Sequence, residues 1–177
     1  MVPDRPVGVL ASPALISTTR TTTSHLKWAD AVNLWSRIFP SSQKRAVWVY
    51  SPAAFADIAQ FATVVGTGGS SVWISGAGAG NTAVDSPPMV LMGRPMICSE
   101  KVPTLGTAGD LGLYDFSYYL IGDRMQLSLT TSDQVAFATD QTAFRIIERL
   151  DGQPWIASAL TPYNGGDTLS AFVTVAA

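Results

Sequence analysis

The chain is 177 residues long, 47% hydrophobic and only 14% charged, with a formal net charge of −2. Average soluble proteins are roughly 25% charged, and disordered chains are charge-rich and poor in aromatics. Five Trp, five Tyr and seven Phe therefore exclude disorder, and the acidic balance gives no electrostatic case for nucleic-acid binding.

That length suits one domain, or one domain with a small lobe, and is enough to bury a sizeable core. So heavy an apolar load implies a large core or apolar surface covered by other subunits. Residues 1–24 are punctuated by Pro3, Pro6, Gly8 and Pro13, end in STTRTTTS, and read as an extended connector. Ser24 is the expected N-cap of a helix running to Phe39, where Pro40 stops it. Trp28, Ala31, Val32, Trp35 and Phe39 form its apolar stripe, with Lys27, Asp30, Asn33 and Arg37 on the opposite side.

AVWVY at 46–50 is a short apolar run rich in β-branched and aromatic residues, as a buried strand requires. Ser51-Pro52 reads as N-cap and N1 of a second helix, with stripe Phe55, Ile58, Ala59 and Ala62 and its end at Gly66. Six glycines crowd the stretch 66–80, which reads as loop except for a strand-like 71–75. Beyond Asn81 the pattern is β. MVLM and MICS flank a turn at Gly93-Arg94-Pro95, and YYLI and MQLSLT flank a turn at Gly122–Arg124. Met125, Leu127 and Leu129 alternate onto one face. FRIIERL fits strand or helix; the Asp151-Gly152 dipeptide after it reads as a hairpin turn and favours strand. The expected class is α+β, two helices with a mostly antiparallel sheet.

Nothing in the residues selects a reaction. GTGGSS and GAGAGN lack the third glycine of the dinucleotide fingerprint and no helical pattern follows them, so they read as loop and no cofactor is expected. His25 is the single histidine; a hydrolase would have to use it, yet it lies in a Thr/Ser connector at a helix start. Cys98, the lone cysteine, has no soft ligand near it in sequence, and beside Met96 and Ile97 it reads as a small core residue. The aspartates at 110, 115, 123, 133, 140, 151 and 167 are scattered singly, as turn residues are. Arg145, Glu148, Arg149 and Asp151 form the densest charge cluster, either an intersubunit set or a solvated face. No run of about 18 apolar residues exists to cross a membrane, and no signal-type N-terminus is visible, so a soluble, non-exported chain is expected.

Six segments in order carry a family resemblance: RPVGVLASPAL, LWSRIF, KRAVWVYSPAAFADIAQ, Gly93-Arg94-Pro95, the run Ala108-Gly109-Asp110 to Arg124, and Phe144 to Gly152. Together they resemble tailed-phage major capsid proteins of the Hong Kong 97 type. The resemblance implies a non-enzymatic shell subunit with a peripheral domain at 25–65 and 134–177 and an axial domain at 66–133. Gly66, Gly68, Gly69, Trp73, Gly76, Gly78 and Gly80 would then line a capsomer axis, with Arg145, Glu148, Arg149 and Asp151 at a subunit interface. It also implies copies of this chain as partners, packaged DNA held without specific recognition, and a place in the virion after assembly in the host cytoplasm. In the family, an N-terminal arm, extended loop and spine helix precede the segment resembled by RPVGVLASPAL. Those elements are expected from a second polypeptide. The shell of an encapsulin-like bacterial compartment and a monomeric hydrolase using His25 are the alternatives.

Overall fold

The computed structural model describes residues 6–65, 68–71, 90–135 and 137–177. Ten strands and two α-helices run in the order β1 (Ile16–Thr18), α1 (Trp28–Arg37), β2 (Val47–Tyr50), α2 (Phe55–Ala59), β3 (Ala62–Val65), β4 (Gly68–Ser71), β5 (Val90–Leu91), β6 (Arg94–Cys98), β7 (Leu111–Tyr114), β8 (Tyr119–Ser132), β9 (Ala143–Pro154) and β10 (Phe172–Val175). The expected α+β class is observed.

Six strands form one mixed sheet in the order β1-β10-β7-β2-β6-β5. β7 and β10 are buried at every position, because both faces of the sheet are covered. On one face Trp48, Tyr50, Leu111, Leu113, Val173 and Val175 pack with Leu34, Ile38 and Ile58 from the helices. On the other, Phe172 and Tyr114 pack with Phe39, Leu15, Tyr118 and Ile156. Register explains the split, since Trp48 is paired with Leu113 and Val49 with Gly112, so neighbours alternate faces together. Trp48 is fully buried, and its indole N–H is satisfied by the Leu91 carbonyl at 2.9 Å.

Helix α1 starts later than its sequence suggests. Ser24 sits at φ 60° in the turn before it, and the N-cap is Lys27. Asp30, expected on the solvated side, is fully buried. Its carboxylate accepts from the Lys27 N–H at 2.8 Å, the Thr21 N–H at 2.8 Å and the Thr21 hydroxyl at 2.6 Å. It is thus both helix cap and anchor for the preceding loop. Asp30→Ala strands two backbone donors, and chemical denaturation should register a loss of about 2–3 kcal/mol. Val32, expected in the stripe, is 42% exposed, and Leu34 takes its place in the core. The helix stops at Arg37, because Ile38 turns extended and bridges to Ser170.

Several other boundaries shift for tertiary reasons. Within the expected connector, Ile16–Thr18 pairs in parallel with β10 as an edge strand. Ser51-Pro52 opens a 3-10 turn leading into α2, with Pro at the first helical positions. That helix ends at Ala59 rather than at Gly66, since Ala62–Val65 pairs with Gly68–Ser71 in a two-stranded sheet. The turn expected at Gly93-Arg94-Pro95 lies one residue earlier, with Met92 (φ 49°) and Gly93 (φ 72°) both left-handed, as tight hairpins demand. Cys98, expected in the core, is exposed.

The largest correction concerns the C-terminal third. Both expected turns, Gly122–Arg124 and Asp151-Gly152, lie inside strands: Gly122 faces Asp151 and Ile121 faces Gly152 in one long β8–β9 ribbon. FRIIERL is strand, as chosen. The boundaries at 65/66 and 133/134 cut paired strands, because β2 bonds to β6 and β7 and β8 to β9. The chain divides physically into a six-stranded body and a two-stranded ribbon.

Candidate assembly surface

The ribbon is where the apolar excess of the sequence comes to the surface. Register shifts between Asp123 and Met125 and between Met125 and Ser128 mark bulges that rotate β8. They undo the simple alternation: Met125 and Ser128 stand opposite Arg149 and Ile147, while Leu129 stands opposite Ile146. Paired residues share a face. One face therefore carries Ile121, Leu129, Phe144, Ile146 and Leu150, with exposures of 51–73%. The other carries Met125, Ser128, Thr130, Arg145, Arg149 and Asp151. The charge cluster thus splits, with Glu148 on the apolar side of β9 between Ile146 and Leu150, because neighbours along a strand alternate.

The ribbon is tied to the body at its base. Val7 donates its N–H to the Gly152 carbonyl at 2.8 Å, and the Tyr119 hydroxyl donates to the Val7 carbonyl at 3.0 Å. A Cβ on Gly152 would fall 2.7 Å from the Tyr119 ring, so glycine there serves close approach rather than a turn. Beside this joint lies an apolar groove of about 410 Å³, lined by Phe39, Pro40, Tyr118, Trp155, Ile156 and Leu160. Trp155 at its rim is 68% exposed. Asp115 holds the strand exit, accepting from the Ser117 N–H at 3.1 Å and hydroxyl at 2.7 Å and from Arg45 at 3.2 Å. Burial pushes its carboxyl up, but the hydrogen bonds from Ser117 and Arg45 outweigh that and hold it below its ordinary value.

Of the residues expected at capsomer contacts, Gly68 and Gly69 lie in β4 opposite Val65 and Val64. Gly66, Trp73, Gly76, Gly78 and Gly80 fall outside the described residues. Arg145, Glu148, Arg149 and Asp151 are exposed on the ribbon. Sequence reading missed the ribbon's apolar face; the alternation in AFRIIERL carries the signal, but the Asp-Gly dipeptide masked its continuation.

The one histidine has a partner. His25 Nδ1 lies 3.2 Å from Asp57 Oδ2, in the wall of an open cavity of about 810 Å³ that also holds Thr22, Lys27, Trp28 and Gln60. Asp57 also accepts from the Leu26 N–H at 2.8 Å, so it staples the connector to α2. No nucleophile completes a catalytic set with this pair in the contacts among described residues. No cluster of three potential metal ligands occurs among the described residues, and none of their helices is long and apolar enough to cross a membrane.

Comparison with known proteins points to the same kind of molecule. The phage capsid family profile matches residues 3–165. Among solved structures, the capsid of an empty GTA particle computed with C5 symmetry superposes at TM-score 0.62 and 15% identity, covering 99% of this chain and 58% of that one. The capsid of the native GTA particle gives TM-score 0.62 at 16% identity, with 99% and 55% covered. The chain thus spans less than three fifths of those capsid chains. No curated protein matches the sequence.

Proposed function

Because the chain belongs to the phage capsid family, we propose that it is a non-enzymatic subunit of a phage capsid shell. Copies of it assemble into the pentamers and hexamers of an icosahedral head, which encloses DNA without reading its sequence. Assembly would take place in the host cytoplasm and leave the chain in the virion. Arg145, Arg149 and Asp151 would meet neighbouring subunits, and the glycine-rich 66–80 stretch would line a capsomer axis.

The observation that carries the reading is the exposed apolar face of the β8–β9 ribbon. A two-stranded ribbon is marginal in water unless one face is covered. Each buried side chain of this kind contributes roughly 1.5–3 kcal/mol, so five of them exceed the margin of most folds. The cover we propose is a separate polypeptide of the same shell, added to the contacts between copies.

Substitution of the ribbon face tests this directly. Leu129→Thr with Ile146→Thr keeps β-propensity and touches no buried residue, so the fold should hold within about 0.5 kcal/mol. Shell formation, followed by electron microscopy with the masses of every chain in the particle, should be lost. Normal shells from the double variant, or native particles lacking this chain, would overturn the proposal.

A further inference from the structure

The loop between the ribbon and β10 carries a feature that assembly does not use. Its neck is closed by reciprocal backbone bonds between Leu160 and Leu169, at 2.9 and 2.8 Å. Arg37 pins one side, with its guanidinium 3.0 Å from Asp167 and its Nε donating to the Thr168 carbonyl at 2.8 Å. Only the apex is unsupported. There Tyr163, Asn164, Gly165 and Gly166 are all exposed, and both glycines are left-handed, at φ 78° and 103°, with no atom near the place of a Cβ. The Asn164 carboxamide has no hydrogen-bond partner among the described residues. The amide that follows it belongs to a residue without a side chain, so nothing screens that nitrogen.

We propose that Asn164 is a site of spontaneous deamidation through the Gly165 backbone nitrogen. That nitrogen loses its proton to solvent base and attacks the Asn164 side-chain carbonyl carbon. The new N–C bond closes a five-membered succinimide; the C–Nδ2 bond breaks and ammonia leaves with the proton. Water then opens the imide at either carbonyl, giving aspartate or isoaspartate. Either product adds one negative charge to a chain whose formal net charge is −2. The Gly165 N–H donates to the Pro162 carbonyl at 3.0 Å, so the reaction waits on opening of that single turn, a low-cost local event at an exposed apex.

The chain contains its own control. Asn33 is also exposed, but the amide after it belongs to Leu34, a fully buried residue inside α1. The test ages the full-length chain in mildly alkaline buffer and maps its peptides by mass spectrometry. The C-terminal tryptic peptide that follows Arg149 holds Asn164 as its single asparagine, and it should gain one dalton and accept methyl groups from an isoaspartyl methyltransferase. The Asn33 peptide should convert at least about tenfold less, since its amide reacts only after the helix opens. Asn164→Gln should abolish the mass gain and the methylation together; methylation surviving in it would trace the isoaspartate to Asp151-Gly152 and count against the proposal. An unchanged Asn164 peptide in the aged chain, beside ready conversion of the same peptide once excised, would show that the Pro162–Gly165 turn protects the site and would overturn it.

Discussion

Gly112→Ala should be among the most damaging single-methyl changes in this protein, lowering stability by about 3 kcal/mol and the melting midpoint by roughly 6–12 °C. Gly112 lies in the central strand β7, between Val49 of β2 and Thr174 of β10. The Tyr114 ring lies directly over it, and a Cβ at Gly112 would fall 2.1 Å from that ring's hydroxyl end. The ring cannot simply swing aside: it is 6% exposed, packed with Phe39 and Phe172 and edge-on to Phe116 at 6.1 Å. Two measurements identify the mechanism. In a Tyr114→Ala background the added methyl should cost little, giving a large coupling in the double-mutant cycle. Alkaline titration gives the second. Burial pushes the Tyr114 phenol up to about 12, so its contribution to stability is full below about 10 and is lost as pH rises toward 12. In Gly112→Ala the displaced ring should titrate close to the ordinary tyrosine value. A variant as stable as the parent would show that the sheet absorbs the methyl.

Arg20→Met should cost about 3–5 kcal/mol, the usual consequence of stranding one member of a buried ion pair. Arg20 and Asp110 meet at 2.8 Å with side-chain exposures of 3% and 0%. Arg20 also donates to the Ala176 carbonyl at 3.1 Å, and Asp110 accepts from the Gly106 N–H at 2.8 Å. The pair therefore fastens the segment after β1, the loop before β7 and the end of β10 at one point. Its second carboxylate oxygen, Oδ1, has no partner among the described residues, so the pair is incompletely compensated even in the native chain. The double change Arg20→Met/Asp110→Leu removes both charges and should recover most of the loss, since apolar replacements of buried pairs are often neutral. Denaturant midpoints of the three variants decide it; a double variant worse than Arg20→Met would mean that Asp110 contributes chiefly through Gly106.

Local sequence determined a good deal here. The amphipathic period of the 28–37 stretch, the β-branched run at Val47–Tyr50 and the Ser-Pro start of the second helical segment each appear as elements. The family resemblance rested on ordered segments and holds over residues 3–165. These features depend on neighbours three or four residues apart, so the chain states them outright. What it could not state was which polar residues would be recruited by distant partners. Asp30 reads as a solvated helix residue until Thr21 folds back on it, and Asp110 as a turn aspartate until Arg20 arrives from 90 residues away.

The tertiary structure alone decided the C-terminal third. Gly-Asp-Arg and Asp-Gly are strong turn signals taken singly, and each would end a strand if it stood alone. Placed opposite one another, Gly122 against Asp151 and Ile121 against Gly152, they instead pass through a continuous ladder, where a bulge absorbs the extra residue and Tyr119 fills the space over Gly152. Pairing between strands more than twenty residues apart overrode dihedral preference at both sites. That pairing turned two expected short hairpins into one long ribbon, with its apolar face open to a partner.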